Sequence, residues 1–599
     1  MIRASDYIIN RLEKEGVKHI FTVTGGGGMF LIDSLGRSKE IQYVPNHHEQ
    51  ACAIAAEAYA RVSKNMGVAL VTTGPAGTNA ITGVGCAWTD SIPLLILSGQ
   101  AKTAHLIENT GLRQKGFHEV TIAKIVEPIT KYAVTIKDPN MVVYHLEKAI
   151  FLAKNGRPGP VWLDVPLDIQ SANIDPDKAL QFDAKKEFPE LFQSKEIKEI
   201  HELISLLKKA KRPIILAGHA ITLTQSQNAF LNLVEKLKIP VVTTRSAFDV
   251  VPHSHPYMAG FAGNFGQRAA NFAIQNSDLF ISVGSRLAVT LVGYEPQTFA
   301  REAKKVVIDI DKAQIDHCFL TIDLPIQCDV KDFIGQMNEA VKTLDFPDYS
   351  EWMAKINHWK KIFPNVTEEM KADKQFVSSY YFYEVLSEEM KKEDVLVWDQ
   401  GAAYHCAAVA FKVKPGQLAF SNEGFTPMGY GLPASVGAGF AAPGQEIISV
   451  NGDGGIMLNL QELQTVFHYK QPMKIFVFNN DGYTSIKHTQ QNFFNGFFVG
   501  VDTASNLSCP DWEKIAVGFQ MPFLKIATHN NMRAEIRKAL DMKGPVIIEV
   551  MLDPLQVIQP KVRSERLADG RMVSKPHEDM YPYLDREVLK KEMIIKMLE

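Results

Sequence analysis

The sequence predicts an α/β protein of three doubly wound parallel-sheet domains, followed by a tail. Three observations predict it. Short apolar runs alternate with helical patterns through most of the chain, and strand, helix, strand at that spacing implies parallel βαβ units. Polar stretches near 175–195 and 346–375 divide the alternation into three segments. A length of 599 residues suits three or four domains of about 150 residues each.

The elements follow in order. In the first segment, 1–175, the alanine-rich run Glu49–Ser63 reads as a helix. A buried strand at 68–73 ends in Gly74-Pro75-Ala76-Gly77, another helix follows, and then a strand at 93–98. The charged, proline-containing stretch from Asp175-Pro176 to Lys185-Lys186-Glu187 reads as a linker. The second segment, 190–345, has strands at 213–217, 279–283 and 306–310. A polar helical bridge leads to the third segment, 375–560, with strands at 395–398, 447–450 and 474–478. The tail, 561–599, carries Arg563, Arg566, Asp569-Gly570-Arg571 and many other charges.

Composition narrows the function. Hydrophobic residues make up 46% and charged residues 22%, an ordinary globular balance, and the net charge of −3 gives no basic footprint for nucleic acid. Cys52, Cys86, Cys318, Cys328, Cys406 and Cys509 form no CxxC pair, which argues against zinc and against a disulfide framework. No apolar run approaches the roughly 18 residues that span a membrane. The opening residues lead into a charged amphipathic stretch instead of a signal core. A cytoplasmic protein is the expectation.

The strongest local chemistry lies in the third segment. The strand at 447–450 runs into Asn451-Gly452-Asp453-Gly454-Gly455, and the strand at 474–478 runs into Asn479-Asn480-Asp481-Gly482. Parallel strands thus deliver two oxygen-bearing side chains, 27 residues apart, to the carboxyl edge where open α/β sheets bind ligands. Mg²⁺ takes a near-octahedral oxygen shell, usually one or two side chains plus phosphate oxygens. Asp453, Asn480 and the Gly482 carbonyl would supply three ligands, leaving room for a diphosphate and a water. Gly454 and Gly455 open the next helix, so their amides could face the phosphate. Alone, Gly452-Asp453-Gly454 would read as a turn; the second strand tip makes it a site.

That pair of tips resembles the thiamine-diphosphate signature, and the likeness extends over nearly the whole chain to the acetohydroxyacid (acetolactate) synthase group. Asn46-His47-His48-Glu49-Gln50 looks like the group's His-Glu-Gln segment. Thr73-Gly74-Pro75-Ala76-Gly77-Thr78-Asn79 is similar to its Gly-Pro-Gly-Ala-Thr-Asn loop, and Met428-Gly429-Tyr430-Gly431-Leu432-Pro433-Ala434 to its Met-Gly-Phe-Gly-Leu-Pro-Ala run. The resemblance implies a pyrimidine-binding first domain, a central domain and a diphosphate-binding third domain. It implies that Glu49 hydrogen-bonds N1′ of the aminopyrimidine, general acid–base work typically giving about 10²–10⁴-fold. The bland alternative is an acid complementing the first turn of a helix. The resemblance also puts Pro75, Asn79, Gly452, Gly454, Gly455, Tyr483 and Thr484 at the cofactor. Met428 would wedge between the two cofactor rings, and the Thr426 carbonyl would accept from N4′. In the group the first and third domains that meet at a cofactor belong to different subunits, so a homodimer or homotetramer is expected.

The central segment carries Gly284 and Arg286 after one strand and Asp309 after another, with Asp329 further on. These resemble the group's FAD-binding positions, an acid after a βα strand being a usual ribose partner. The group's acidic pair and second arginine after this point are absent, and Leu287-Ala288-Val289-Thr290 stands there. Other departures bear on substrate. Thr489 replaces a specificity-setting tryptophan, His118 a glutamine and Leu167 a lysine, and the polar run His488-Thr489-Gln490 would suit a polar acceptor. The stretch Leu567-Ala568-Asp569-Gly570-Arg571-Met572-Val573, through Glu578-Asp579-Met580, looks like relatives that serve surface-polysaccharide pathways, some of which transfer acetyl onto a nucleotide-linked ketosugar. That tail could close the site mouth or be a solvated extension.

The expected reaction is attack on a 2-oxo acid, most simply pyruvate, loss of CO₂, and addition of the resulting acyl carbanion to a second carbonyl. Gly26 and Gly27, with His118, are the candidates for contact with the reacting groups, the two glycines through backbone N–H. A lyase, hydrolase or simple decarboxylase of the same superfamily is the alternative. A scaffold without chemistry sits poorly with the presence of Glu49, Met428, Asp453 and Asn480.

Overall fold

A computed structural model describes residues 1–193, 196–566 and 569–598. It contains three six-stranded, all-parallel sheets, one in each segment. Strands such as Gly67–Val71, Leu94–Gln100 and Pro160–Pro166 are buried at every residue. Continuous burial is what a parallel sheet covered by helices on both faces requires.

The first sheet runs, edge to edge, Gln42–Pro45, His19–Thr22, Gly67–Val71, Leu94–Gln100, Pro160–Pro166 and Tyr132–Thr135. The third repeats this pattern of connections: Ala419–Phe420, Val395–Trp398, Ile447–Gly452, Met473–Asn479, Val546–Met551 and Phe523–Ile526. The central sheet differs. Its order is Met258–Phe261, Val241–Thr243, Pro213–Ala217, Leu279–Val283, Lys304–Asp309 and Leu324–Gln327, so its winding reverses between Pro213–Ala217 and Leu279–Val283, two strands in from the edge, where the other sheets reverse one strand closer to theirs. Such a reversal opens a crevice at the carboxyl ends of the strands.

The helix predicted at Glu49–Ser63 is present with those bounds, capped by the His48 ring accepting from the Gln50 N–H at 3.1 Å. The strand predicted at 68–73 ends at Val71, because Thr72 and Thr73 turn out of the sheet towards Gly74 and the helix Pro75–Asp90. Helix Glu49–Ser63 packs against Gly431–Ala441, and Ala53, Ile54, Leu432 and Val436 share one core, which joins the first domain to the third.

The polar connections are docked. Phe182, Phe188 and Phe192 of the linker gather around Phe151 at ring separations of 5.5, 5.7 and 6.0 Å. The bridge helix Ser350–Ile362 buries Trp352 and Trp359 in the central core. The tail packs there as well. Arg268 donates to the Met580 and Pro582 carbonyls at 3.2 and 2.8 Å, Arg301 pairs with Glu578 at 2.8 Å, and Leu589 enters the core. A solvated extension is therefore not what the tail is; its buried acids Glu578 and Glu592 pair with Arg301 of the central domain and Lys355 of the bridge. Leu567 and Ala568 lie outside the described residues, while Ser564–Arg566 pairs antiparallel with Met572–Ser574 around them. Among the described residues no helix is long and apolar enough to cross a membrane.

Candidate functional site

Two strand tips of the third sheet converge on Asp453. Its side chain is fully buried, and Oδ2 accepts from the Asn480 and Gly482 N–H groups at 3.1 and 3.0 Å. Burial pushes this carboxyl up to about 6 against the pull of its backbone donors. One terminal atom of the Asn480 carboxamide lies 3.2 Å from Asp453 Oδ1 and 2.9 Å from the Gly482 carbonyl oxygen. With nitrogen there, its N–H groups satisfy both acceptors. With oxygen there, three oxygens face one another without a proton, an arrangement that needs a cation. Cis ligands of octahedral Mg²⁺, at 2.0–2.1 Å from the ion, lie about 2.9 Å apart. The two separations from the Asn480 atom, 2.9 and 3.2 Å, are close to that edge. Among the described residues no three His, Cys, Asp or Glu side chains gather as a metal site, so a cation here depends on this carboxamide and this carbonyl.

One expectation needs correction. The Gly454 N–H donates to Asp453 Oδ1 at 2.8 Å, so it is engaged by the carboxylate instead of standing open to a phosphate. The reason for glycine at 454 is packing: a Cβ there would lie 2.3 Å from the Tyr483 ring. Thr484 sits 2.7 Å from the other end of the Asn480 carboxamide and orients it.

The 426–431 loop is held from below by Asp399, which sequence reasoning missed. Asp399 is fully buried at the end of Val395–Trp398, and it accepts from the N–H groups of Gly429, Tyr430 and Gly431 at 3.2, 3.0 and 3.4 Å. Burial pushes its carboxyl up to about 6. The signal was available, since an apolar strand stopping on Asp is the same cue that marked Asp453. Thr426 adopts a left-handed backbone, φ +53, unusual for a β-branched residue and a form of strain found at functional sites. The Asn422 carboxamide oxygen stabilises it by accepting from the Phe425 and Thr426 N–H groups at 3.0 and 2.8 Å. Met428 follows, half-buried.

The first-domain candidates lie at the carboxyl ends of their own strands. Glu49 accepts from the Asn79 amide at 2.9 Å, and Pro75 begins the helix that carries Asn79. Gly26–Gly28 is a short 3₁₀ turn, not a flexible loop. A Cβ on Gly27 would lie 1.8 Å from Thr73 Oγ1, and the Gly27 carbonyl accepts from Gln170 at 2.8 Å. Gly26 has open space around it. His118 is exposed with φ +57, and its carbonyl crowds Gly74 beside Pro75. Glu49, Asn79, Pro75, Gly27 and His118 thus share one edge of the first sheet. A second missed acid, buried Glu462 of the third domain, accepts from Asn46 and from the His47 N–H at 2.8 and 2.9 Å, clasping the segment just before Glu49. Nothing in its helical sequence context marks it.

Thr489 and Gln490 of the polar run 488–490 are less available than the sequence suggests, whereas both ring nitrogens of His488 are without a hydrogen-bond partner. The Thr489 hydroxyl donates back to the Ser485 carbonyl at 3.2 Å, and the Gln490 amide is spent on both backbone groups of Val499.

Gly284, Arg286, Asp309 and Asp329 line a single cavity of about 370 Å³ at the reversal point of the central sheet. The cavity continues past Asp90 of the first domain to Gln400, Tyr404, Glu423 and Thr426 of the third. Asp309 is buried and accepts from the Asp311 N–H at 2.9 Å, and Asp329 caps the helix Val330–Ala340. Arg286 reaches within 3.9 Å of Asp90.

With this geometry in place, comparison with known proteins is informative. Three family models match in order: the thiamine pyrophosphate enzyme N-terminal TPP binding domain over 2–125, the central domain over 200–337, and the C-terminal TPP binding domain over 399–550. The chain is 32% identical to a probable acetolactate synthase large subunit of Methanocaldococcus jannaschii over 93% of both chains. It is 30% identical to one from Methanococcus aeolicus, covering 95% of this chain and 96% of that one. An acetolactate synthase large subunit of Lactococcus lactis is 28% identical over 93% of this chain and 94% of its own.

Proposed function

Because this chain belongs to the thiamine pyrophosphate enzyme family, with all three of its domains in one polypeptide, we propose that it decarboxylates a 2-oxo acid, most simply pyruvate, and transfers the acyl unit to a second carbonyl. The observation that carries the reading is the convergence of Asp453 Oδ1, one end of the Asn480 carboxamide and the Gly482 carbonyl at the two strand tips, which suits Mg²⁺ with a diphosphate once the carboxamide turns its oxygen inward. The names of the three relatives, two probable acetolactate synthase large subunits and one acetolactate synthase large subunit, support ligation over simple decarboxylation.

When bound, thiamine diphosphate supplies the electron sink that accepts the pair left by CO₂. The chain's own residues do the rest. Asp453, Asn480 and Gly482 hold the ion. Asp399 fixes the backbone of 429–431, so that Met428 would support the cofactor and the Thr426 carbonyl would accept a hydrogen bond from it. Glu49 moves a proton at N1′ of the pyrimidine ring, with Asn79 orienting its carboxylate. Gly26 and His118, on the same edge, face the reacting groups.

FAD belongs to this proposal. The central cavity brings its four candidate residues together at a sheet reversal, the usual place for a dinucleotide. Decarboxylation with ligation is redox-neutral, so a flavin there would be structural. A homodimer is also part of the reading. Phe425, Leu458, Phe493, Phe494 and Phe497 of the third domain each expose 49–75% of their surface, large apolar side chains that a second subunit could cover. The free state of all six cysteines supports a reducing, cytoplasmic setting.

Incubation with pyruvate, thiamine diphosphate and Mg²⁺ tests the function, with and without a nucleotide-linked ketosugar as acceptor. A ligated hydroxyketone is the expected product. Acetaldehyde alone would favour a simple decarboxylase, and no consumption of any 2-oxo acid would remove the reading.

A further inference from the structure

The cavity between the central and third domains holds a buried acid to which no role has yet been given. Glu423 lies three residues before Thr426, and its side chain is 5% exposed. Its Oε2 accepts from the Tyr404 hydroxyl at 2.5 Å and lies 3.8 Å from Arg245 Nε. The Arg245 guanidinium stacks 4.0 Å from the Tyr404 ring centroid. The Glu423 N–H donates to Asp90 Oδ2 at 2.8 Å. The backbone is therefore fixed from the first domain, and the carboxyl from the central and third. Glu423 Oε1 has no hydrogen-bond partner.

This position adjoins the proposed chemistry. Glu423, Gln400 and Thr426 line the same cavity. The Gln400 carbonyl lies 3.9 Å from where a Cβ on Gly452 would stand, next to Asp453. The cavity thus borders the cofactor loop at Thr426, and Gln400 on its wall stands next to the strand tip that carries Asp453.

We propose that Glu423 is the proton carrier of the ligation half-reaction, protonating the acceptor oxygen as the new carbon–carbon bond forms. This inference rests on the carboligase reading above. When the donor carbon's electron pair bonds to the acceptor carbonyl carbon, the C=O π pair moves to oxygen. That oxygen takes the Glu423 proton, and the carboxylate left behind is stabilised by Tyr404 and Arg245. On release, the donor-carbon hydroxyl loses its proton as that oxygen becomes the product ketone. The bound cofactor, as electron sink, would take up the pair of the breaking bond, and the proton returns to Glu423. No oxidant or reductant is consumed. Burial raises the Glu423 carboxyl to about 7, against Arg245 and the Tyr404 hydroxyl, with Asp90 and Arg61 as the other charges around it. A general acid works best with its pKa near the working pH.

Glu423→Gln keeps the size and the Tyr404 contact but carries no transferable proton. The ratio of ligated product to CO₂ should fall by about 10²–10⁴-fold, with the donor leaving as aldehyde and 2-oxo acid consumption changing only a few-fold. Glu423→Asp should restore part of the ligation. Isotope-edited infrared spectra of the wild-type holoenzyme should show a protonated glutamic acid band that disappears with a midpoint near pH 7 and is missing from Glu423→Gln. An unchanged product-to-CO₂ ratio in Glu423→Gln overturns the proposal. So does a carboxyl ionised throughout the range from about pH 5 to 8, whatever the variant does. A wild-type enzyme that consumes 2-oxo acid without ligating, or consumes none, strikes the carboligase reading itself and this inference with it.

Discussion

Asn422 of the third domain donates 3.0 Å to the buried carboxylate of Asp90 in the first domain, while its own oxygen holds the left-handed turn at Thr426. The same Asp90 oxygen accepts from Arg61 at 2.6 Å, Arg61 also pairs with Glu57, and Glu57 accepts from the Tyr430 hydroxyl at 2.7 Å. The loop expected to shape the cofactor is thus tied at both ends into a buried polar network rooted in another domain.

Cutting that tie has two consequences. Asn422→Ala leaves the Phe425 and Thr426 N–H groups and part of Asp90 unsatisfied, each costing about 1–3 kcal/mol. The expected result is a melting temperature lower by several degrees and thiamine diphosphate bound about 10–100-fold more weakly, read by calorimetry and titration. Unchanged cofactor affinity would separate the network from the site.

Metal dependence should concentrate at the two strand tips. Asp453→Ala or Asn480→Ala is expected to weaken Mg²⁺-dependent binding of the cofactor by more than about 100-fold. Chelation of the wild-type protein should release the cofactor, and added Mg²⁺ should restore it. Cofactor retained at full affinity in excess chelator would contradict the ligand assignment.

Glu49 separates binding from activation. Glu49→Gln should bind cofactor normally while C2 proton exchange, followed by NMR, slows about 10²–10⁴-fold. Exchange at the wild-type rate would remove Glu49 from the proton path.

Flavin occupancy is read directly from the absorbance of the purified protein. FAD should bind, Arg286→Ala should lower its occupancy, and reduction of the flavin should leave ligation running, because the chemistry is redox-neutral. Failure of added FAD to bind would make the central cavity a site for something else.

Asp164 provides a pH test away from the chemistry. It is fully buried among Ser98, Gln100 and Thr135, and burial raises its carboxyl to about 6. A raised folded pKa stabilises the protein below the unfolded value near 4, and this advantage is lost as pH rises through about 6. Asp164→Asn should therefore gain stability relative to wild type between about pH 4 and 7, by at most about 3 kcal/mol. Paired thermal melts measure it; a difference independent of pH would show that the carboxyl ionises normally.

Much of the fold was legible because parallel strands are written as continuous apolar runs. The strands at Pro213–Ala217, Leu279–Val283 and Val395–Trp398 and the helix Glu49–Ser63 have the bounds their sequences suggest. Asp453 and Asn480 were legible for a related reason: a strand that stops on an oxygen-bearing residue fixes where that oxygen goes. The tail and bridge were not, because their charges look like solvated surface until Glu578 is seen to pair with Arg301 and Glu592 with Lys355, while Arg268 and Asn276 take backbone groups of the tail.

The sequence by itself determined the three sheets and the strand tips that carry Asp453, Asn480 and the loop before Glu49, since these depend on local periodicity and on residues close along the chain. Only the tertiary structure decided what holds the site in shape. Asp399 beneath Gly429, Glu462 over Asn46 and Glu423 between Tyr404 and Arg245 each act across a separation in sequence or between domains. A buried carboxylate takes its role from the donors that folding brings to it, and no pattern of neighbours along the chain encodes which donors those will be.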